Sequence, residues 1–411
     1  MSKIDDLLKR YCPNGVEYKP LLSVTNVLYG FPCDASKFNT DKQGQPLARI
    51  RDVLDGETST YTTEIIPNKY KLKENDLLIG MDGNFHVSNW KMKDGILCQR
   101  VCKISSNDNE CTVLNGFLSH LLKPVIKKVE DGKQSGTVKH LLDKDLKAIQ
   151  IPVPPLEVQR EIVQVLDSFT MLTAELSAEL SARKKQYEYY RDQLLSFNNV
   201  RDGLIFANPE SVRWMTLGEI GKVSMCKRIL KSETSAEGEV PFFKIGTFGG
   251  KADAYISYQK YEEYKSKYSF PKKGDVLISA AGTIGRTVVY DGKPAYFQDS
   301  NIVWIDNDES IVLNSFLNYC YKTQPWKASE GGTIARLYND NIARTKIPVP
   351  PIEIQNRIVK VLDNFDSICF DLQIGLPAEI DARKKQYEYY RDLLLSFEPI
   401  GTVLAKQASK Q

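Results

Sequence analysis

Residues 151–169 read IPVPPLEVQREIVQVLDSF, and residues 347–365 read IPVPPIEIQNRIVKVLDNF. The two stretches share 13 of 19 residues at an offset of 196. A second pair follows, because residues 181–197 (SARKKQYEYYRDQLLSF) and 381–397 (DARKKQYEYYRDLLLSF) share 15 of 17 residues at an offset of 200. The chain is therefore a tandem duplication, and the second copy is four residues longer between its two matching stretches.

The duplication continues upstream in a weaker form. NDLLIG at 75–80 matches GDVLIS at 274–279, and VLNGFL at 113–118 matches VLNSFL at 312–317. Each copy thus consists of a variable part followed by a nearly copied part. The predicted segments are a first variable domain at 1–150, a central helix at 151–200, a second variable domain at 201–346, a C-terminal helix at 347–400 and a flexible tail at 401–411.

The nearly copied part is predicted to be a long helix. Paired prolines at 154–155 and 350–351 mark its start, because proline is tolerated in a first helical turn. No Gly or Pro interrupts residues 156–202, whereas Gly375 and Pro377 predict a kink in the second copy. Apolar residues recur in steps of three and four, which is typical of a coiled-coil seam, at Ile162, Leu166, Phe169, Leu172, Leu176, Leu180, Tyr187, Tyr190 and Leu194, and at Ile358, Leu362, Phe365, Ile368, Leu372, Ile380, Tyr387, Tyr390 and Leu394.

Two such helices in one chain can cover each other's seams as an antiparallel pair. Short β-rich runs separated by Gly, Asp and Pro, together with shorter helical patterns, indicate mixed α/β variable domains. We therefore predict an α+β protein with two mixed α/β domains separated by an antiparallel coiled coil of two long helices. Strands are expected near 47–54, 76–80, 96–104, 240–246, 275–279, 286–290 and 301–305, and helices near 113–122, 259–268 and 311–322.

The composition excludes several classes of protein. Apolar residues make up 42% of the chain and charged residues 26%, which indicates a globular protein. The net charge of +3 is too small to indicate a nucleic-acid binder without further observations. Because Asp5 and Asp6 interrupt the N-terminus and no 18-residue apolar stretch occurs, we expect a cytoplasmic protein without a membrane span. The 8 scattered cysteines and 3 histidines favour buried thiols over a zinc site.

Familiar catalytic motifs do not occur in the sequence. The chain has no GxxxxGK[ST] phosphate loop, no GxGxxG after a strand, no GxSxG elbow and no HExxH helix. The sequence therefore predicts a protein without a catalytic site of its own.

The repeated ARKKQYEYYRD block, at 182–192 and 382–392, has two interpretations. It is either a solvated basic helix face with tyrosines in the seam, or a functional face, which lies beside DNA phosphates or forms one of two equivalent faces that bind two copies of one partner. Seam packing alone would tolerate Leu for Tyr or Arg for Lys, so the second interpretation is preferred. The candidate partner-binding residues are Lys184, Lys185, Tyr187, Tyr190, Lys384, Lys385, Tyr387 and Tyr390.

As a whole, the chain resembles the specificity (S) subunits of type I restriction–modification systems. The duplicated IPVPP and ARKKQYEYYRD segments carry the resemblance, together with GDVLISAAGTIGR at 274–286 and FQDSNIVWI at 297–305. The first domain departs from this pattern, since it has GMDGNFHVSNW at 80–90 where the second has SAAGTIGR.

The resemblance implies a non-catalytic subunit that reads a split, asymmetric site on double-stranded DNA. Each target-recognition domain would read one half, and the helices would set the distance between the halves. Two methyltransferase (M) subunits that use S-adenosylmethionine would dock on the helices, and restriction (R) subunits that use ATP and Mg could join. The chain itself would bind no cofactor and no metal.

DNA recognition needs cations for phosphates and planar donors for base edges. Arg286 and Arg336 are the strongest candidates, because both follow Gly- and Thr-rich loops that bring main chain close to a ligand. A protein-binding scaffold without DNA affinity stays open as the alternative function. The remaining DNA-binding candidates are Thr283, Arg228, Lys231, Lys244, Tyr338 and Asn339 in the second domain, and Lys37, Arg49, Arg51, Asn84, His86, Arg100, Lys139 and His140 in the first.

Overall fold

The computed structural model describes residues 3–107, 112–133, 138–197, 211–326, 336–400 and 402. The predicted helix beyond 197, the loop 331–335 and the tail, apart from Thr402, lie outside the described residues. The helices are α1 (Lys3–Tyr11), α2 (Leu21–Val24), α3 (Asn115–Asp131), α4 (Asp143–Ala148), α5 (Leu156–Ser196), α6 (Leu217–Ile220), α7 (Tyr258–Lys267), α8 (Asn314–Lys322), α9 (Asn339–Arg344), α10 (Ile352–Phe370) and α11 (Leu376–Leu394).

The strands belong to the two variable domains. In the first domain they are β1 (Tyr18–Pro20), β2 (Thr25–Tyr29), β3 (Phe38–Asn39), β4 (Gln45–Ala48), β5 (Tyr61–Thr62), β6 (Lys71–Lys73), β7 (Leu77–Gly80), β8 (Val87–Asn89), β9 (Asp94–Leu97), β10 (Val101–Ser106) and β11 (Gln150–Pro152). In the second they are β12 (Arg213–Thr216), β13 (Lys222–Ser224), β14 (Val240–Phe243), β15 (Tyr255–Ile256), β16 (Val276–Ser279), β17 (Thr287–Val289), β18 (Tyr296–Phe297), β19 (Ile302–Asp306) and β20 (Lys346–Val349).

The chain divides into two compact units that cut across the sequence repeat. Unit 1 comprises Met1–Leu176 and Ile380–Gln411, and unit 2 comprises Ser177–Glu379. Each unit therefore contains one variable domain, the helical segment that directly follows it (156–176 of α5 in unit 1, α10 in unit 2), and the ARKKQYEYYRD block of the other copy.

Both units are built on the same sheet topology, which confirms the α+β class. Unit 1 has an antiparallel sheet of order β2-β10-β7-β8 and a second sheet in which β4 and β9 run parallel. Unit 2 repeats this with β13-β19-β16-β17 and the parallel pair β14 and β18. The first strand of each domain pairs with the strand that precedes the long helix, β1 with β11 and β12 with β20.

Two predicted strands of the first domain are shorter than expected. The strand expected at 47–54 ends at Ala48, because the Asp52 carboxylate accepts from the Arg49 main-chain N–H and closes a 3-10 turn. The strand expected at 96–104 is two strands, because Arg100 has a φ of 67° and turns the chain between β9 and β10. These local turns depend on individual side chains rather than on hydrophobic periodicity.

The kink predicted in the second copy is confirmed as a complete break between α10 and α11. The Asp371 carboxylate accepts from the main-chain N–H of Gln373 and of Ile374, at 2.7 and 3.2 Å, and so ends the helix. A Cβ on Gly375 would lie 2.4 Å from the Ser367 carbonyl oxygen, so only glycine allows this close return. The four additional residues of the second copy fall in the region of this break.

The break also overturns part of the predicted seam. Ile368 and Leu372 are 43% and 81% exposed, whereas Cys369 is fully buried. Leu372 lies beyond the end of α10 at Phe370, where the three-four spacing no longer applies; Ile368 lies within α10, but the neighbouring Cys369 takes the buried position.

Within each unit, the ARKKQYEYYRD block of the other copy packs against the helix that follows the unit's own variable domain, α5 in unit 1 and α10 in unit 2. In unit 2, the Tyr187 ring lies 5.6 Å from Phe370 and 6.3 Å from Phe365, and the Tyr190 ring lies 5.8 Å from Phe365. Because Tyr190 lies further along α5 and contacts the earlier of the two phenylalanines, the two segments run antiparallel. Unit 1 has the matching pair, with the Tyr390 ring stacked 5.3 Å from that of Phe169.

A buried glutamine fastens each long helix to its own domain. The Gln159 side chain is fully buried; its Oε1 accepts from the Leu114 N–H at 2.8 Å, and its Nε2 donates to the Thr112 and Pro154 carbonyl oxygens at 2.8 and 2.7 Å. Gln355 makes the matching three bonds in unit 2, to Leu313, Ile311 and Pro350.

Replacement of Gln159 by Leu should therefore destabilise unit 1 strongly. Three main-chain groups would lose their partners, and we expect a loss of about 2–4 kcal/mol in the free energy of unfolding. Urea unfolding of the purified chain measures it, with Gln193→Leu, an exposed glutamine of α5, as the control. Equal unfolding midpoints for the two variants would contradict this role.

Candidate nucleic-acid interface

The two units share a frame of main-chain hydrogen bonds where their sheets end. The bonds involve the loops that follow β7 and β16, the turns that precede β10 and β19, and the turns that follow β4 and β14. In unit 1 they run from Gly80 N to His86 O, Met81 N to Arg100 O, Leu141 N to Met81 O and Asp52 N to Arg49 O, and in unit 2 from Ser279 N to Arg286 O, Ala280 N to Asn301 O, Leu337 N to Ala280 O and Thr247 N to Lys244 O.

The frame shows which residues occupy equivalent positions in the two domains. Antiparallel bridges join Asp82 to His140 in unit 1 and Ala281 to Arg336 in unit 2. Seven of the sixteen predicted DNA-binding residues fall on such positions, but with different side chains in each unit. The equivalent pairs, with unit 1 first, are Arg49 and Lys244, Asp82 and Ala281, His86 and Arg286, Arg100 and Asn301, and His140 and Arg336.

In unit 2, the two favoured arginines are held by main-chain carbonyl groups. Arg286 is exposed, and its Nη1 donates to the Phe248 carbonyl oxygen at 2.8 Å. Arg336 donates from Nη2 to the Ser300 carbonyl oxygen at 3.1 Å, and its guanidinium carbon lies 6.0 Å from the centre of the Tyr338 ring. These contacts fix the orientation of two guanidinium groups, each of which carries five N–H donors in a planar arrangement.

The neighbouring loop geometry depends on a glycine. Gly285 has a φ of 77°, and a Cβ there would lie 2.5 Å from the Trp326 Nε1 atom. Position 285 therefore requires glycine, which has no Cβ and adopts the left-handed backbone conformation without strain. Thr283 is exposed on the same loop, and its carbonyl oxygen accepts from the Ser279 hydroxyl group.

A cleft of about 640 Å³ in unit 2 brings three more predicted cations together. Lys244 pairs with Asp253 at 2.8 Å at its edge. Gln298 also lines the cleft, and its Oε1 accepts from the Ile245 N–H at 3.0 Å. The three predicted cations in the lining are Arg228, Lys231 and Lys244.

In unit 1, carboxylates hold the equivalent cations. Asp52 receives two hydrogen bonds from the Arg49 guanidinium, at 2.8 and 3.2 Å, and both side chains are largely buried. Asp82 contacts His140 Nδ1 at 2.7 Å and the Arg100 guanidinium at 3.4 Å. The Arg49 pair therefore stabilises a turn, whereas Arg100 and His140 stay about half exposed.

The remaining predicted residues of both domains lie on loops and helix ends. Lys139 donates to the Glu130 carbonyl oxygen at 2.9 Å, next to His140. Asn84 and His86 lie on the loop that follows β7, with Asn84 exposed. The others are exposed: Lys37 and Arg51 on the 3-10 turns Ala35–Lys37 and Ile50–Asp52, and Tyr338 and Asn339 at the start of α9.

The sequence interpretation missed Asp82. Aligning GMDG at 80–83 with SAAG at 279–282 places Asp82 opposite Ala281 and provides the signal that could have found it. The main-chain bonds of the two loops match, whereas a carboxylate in unit 1 stands opposite an alanine in unit 2.

The ARKKQYEYYRD blocks combine buried tyrosines with an exposed basic face. Tyr187 is only 4% exposed, and Tyr387 is half-buried with a pKa that burial raises to about 12. Arg191 and Arg391 cover these rings with their guanidinium carbons 5.7 Å from the ring centres. The groups that face outward are the lysines and second tyrosines of each block, namely Lys185, Tyr189, Lys384, Lys385 and Tyr389.

In unit 1, a histidine of the variable domain contacts the ARKKQYEYYRD block at 382–392. His120 contacts the Tyr387 hydroxyl at 2.9 Å through Nδ1 and the Asp167 carboxylate at 2.8 Å through Nε2. Burial lowers the pKa of His120, so the ring is neutral near pH 7. In unit 2, Tyr319 stands at this position and donates to Asp363 at 2.6 Å.

Within unit 2, a second cleft joins the Arg286 loop to the first block. It measures about 450 Å³ and is lined by Tyr187, Arg191, Arg286, Lys322 and Asp366, among others. Lys322 pairs with Asp366 at 2.7 Å inside it. The Arg286 loop and the Tyr187 side of the first ARKKQYEYYRD block are therefore neighbours in this unit.

Among the described residues, no helix is long and apolar enough to cross a bilayer. The same part of the chain contains no group of three His, Cys, Asp or Glu side chains arranged to hold a metal ion.

Comparison with known proteins gives consistent results. A family model for the type I restriction modification DNA specificity domain matches residues 13–183 and 209–382. A Haemophilus influenzae protein named as a type I restriction enzyme specificity subunit is 42% identical over 402 residues, which cover 93% of this chain and 96% of that protein. The EcoR124I/EcoR124II specificity subunit of Escherichia coli is 36% identical over 278 residues, covering 62% of this chain and 65% of that protein.

Solved structures share the fold at low sequence identity. The type I restriction–modification S subunit from M. genitalium superposes with a TM-score of 0.54 and 17% identity, covering 92% of this chain and 95% of that one. A chain from a structure on complex assembly and conformational transition of the type I R-M system gives a TM-score of 0.58 and 20% identity, covering 93% and 98%.

Proposed function

Because the chain belongs to the specificity (S) subunit family of type I restriction–modification systems, we propose that each of its units reads one half of a split DNA site. The protein is the non-catalytic subunit that recognises the DNA target with its two target-recognition domains. The two halves differ in sequence, since the two units present different side chains to DNA.

One observation carries this proposal. The same main-chain frame holds Arg286 and Arg336 in unit 2 but His86 and His140 in unit 1. Arginine reads guanine by donating two parallel hydrogen bonds to O6 and N7. The two ring nitrogens of histidine point in different directions, so a histidine makes only one hydrogen bond to a base edge. The two units share the same main-chain hydrogen bonds but carry different side chains on them. This difference supports recognition of two different half-sites.

The exposed faces of the two ARKKQYEYYRD blocks would dock two methyltransferase subunits. Equivalent surfaces suit two copies of one partner, and each block lies in the unit opposite to its own copy. These M subunits would supply S-adenosylmethionine chemistry, and restriction subunits would add ATP- and Mg-dependent cleavage. The protein thereby takes part in a type I restriction–modification complex that binds DNA.

Co-expression with the M subunits tests the proposal. Mapping of methylated adenines should reveal one two-part motif with a fixed gap. A protein-binding scaffold would instead show no DNA affinity above that of an unrelated protein. Recognition through phosphates predicts a steep fall in affinity as salt rises from 50 to 200 mM, by about 10³-fold or more if six phosphates are contacted.

The Arg286 and Arg336 side chains give a residue-level prediction. If either reads a guanine, its replacement by Ala should cost about 1–3 kcal/mol on cognate DNA and far less on non-cognate DNA. Competition binding with the two DNAs measures the difference, and Arg344→Ala, an exposed arginine of α9, is the matched control. Equal losses on both DNAs would assign the residue to a phosphate contact.

A further inference from the structure

Asp82 lies where three segments of unit 1 meet. It follows β7, pairs across an antiparallel bridge with His140, and faces the turn that carries Arg100. The Asp82 side chain is 22% exposed, while those of Arg100 and His140 are 64% and 51% exposed. A half-buried carboxylate thus holds two outward-facing basic groups that come from distant parts of the chain.

The geometry leaves defined atoms for a ligand. A carboxylate only accepts hydrogen bonds, so His140 presents Nδ1–H to Asp82 at 2.7 Å and Nε2 is the ring nitrogen that Asp82 does not engage. Asp82 contacts Arg100 through Nε at 3.4 Å, so the two terminal Nη groups lie beyond this contact. A single carboxylate therefore contacts two planar groups, His140 through a hydrogen bond and Arg100 through an ion pair.

The main chain at Arg100 is held in a costly conformation. Its φ of 67° lies in the left-handed region that glycine and asparagine adopt most easily. The Arg100 side chain is largely exposed, and strained residues of this kind are concentrated at functional sites.

The charges favour base reading over phosphate binding. Asp82 cancels part of the positive charge of Arg100 and would repel a phosphate oxygen at close range. The Arg100 guanidinium, by contrast, carries the planar N–H donors that guanine O6 and N7 require. Unit 2 has Ala281 at this position and holds Arg336 through the Ser300 carbonyl oxygen instead, so the carboxylate belongs to one half-site alone.

We propose that Asp82 is a positioning residue for sequence reading in unit 1, and that it orients Arg100, with His140 beside it, towards a guanine edge in the first half-site. This inference rests on the proposed function, since it presumes that unit 1 reads DNA. The inference extends the proposed function in two ways: Asp82 contributes to recognition without contacting DNA, and the first half-site contains a guanine.

The test uses the full chain assembled with its methyltransferase subunits and a DNA library randomised in both half-sites. The first half-site is identified as the one whose base preference Arg286→Ala leaves unchanged. Asp82→Ala should reduce discrimination at one or two adjacent base pairs of that half-site by about 10-fold, and Asp82→Asn should retain part of it. Preference in the second half-site should not change.

A double-mutant comparison separates positioning from a general structural effect. In the Arg100→Ala/His140→Ala background, Asp82→Ala should cause no further loss of discrimination, because Asp82 acts through these two side chains. Asp131→Ala, which removes the exposed carboxylate that pairs with Lys127 at 3.1 Å on α3, is the matched control and should leave both half-sites intact.

Several results would overturn the proposal. These are unchanged preference in Asp82→Ala, equal relaxation of both half-sites, a further loss in the double background, or failure of both Asp82 variants to assemble. A wild-type complex that selects no two-part motif would instead overturn the proposed function.

Discussion

Deletion of residues 177–180 from α5 is expected to shorten the gap between the two DNA half-sites by about one or two base pairs. Residues 173–180 read TAEL-SAEL, so the deletion removes one of two similar four-residue units from an uninterrupted helix. Four residues correspond to about 6 Å of rise and about 400° of rotation, which turns the seam by only about 40°. One base-pair step is about 3.4 Å, so the helix should stay foldable while the gap shortens.

Methylation mapping of the deletion variant with its M subunits measures this effect. Both half-sites should keep their sequences, and methylation at the original spacing should fall to background. The length-matched control is Ser177→Ala/Glu179→Ala, which preserves the helix and should preserve the gap. An active deletion variant with unchanged spacing would mean that α5 does not set the distance.

Charge reversal of the two lysine pairs is expected to remove the methyltransferase subunits one at a time. Lys185, Lys384 and Lys385 are exposed, and Lys184 lies with its Nζ 5.3 Å above the Phe370 ring. Replacing both lysines of one block by Glu should weaken that docking event by about 100-fold or more, because reversed charges oppose the partner surface. Native mass spectrometry should then show one bound M subunit, and none when both blocks are changed.

The control for this experiment is reversal of Lys272 and Lys273, an adjacent exposed pair in a loop of unit 2. This variant should still bind two M subunits. A three-subunit complex that persists with all four block lysines reversed would leave the blocks as plain helix-pairing segments. The role of the first block would then be limited to the packing of the Tyr187 ring on Phe365 and Phe370 within unit 2.

Much of the architecture could be predicted from local sequence patterns. The duplicated segments identified the repeat, and the apolar spacing together with the missing Gly and Pro predicted α5, which is helical from Leu156 to Ser196. Gly375 and Pro377 predicted the break between α10 and α11. Such features depend on residues close together in the chain, and local propensity and periodicity report on them directly.

The arrangement of the reading groups depended on the tertiary structure. Asp82, Arg100 and His140 are separated by up to 58 residues, and no local pattern says that one carboxylate holds the other two. The exposure of Leu372 likewise followed from a helix end rather than from its place in the seam.

Sequence thus determined that the chain has two equivalent halves with divergent recognition domains and matching helices. Tertiary structure decided that each ARKKQYEYYRD block belongs to the unit of the other copy, so that Tyr187 packs on Phe365 and Tyr390 on Phe169. The tertiary structure also identified the equivalent positions of the two domains, such as His140 in unit 1 and Arg336 in unit 2. The physical reason is that the pairing of distant segments is settled by the burial of complementary surfaces, and those surfaces exist only once the chain has folded.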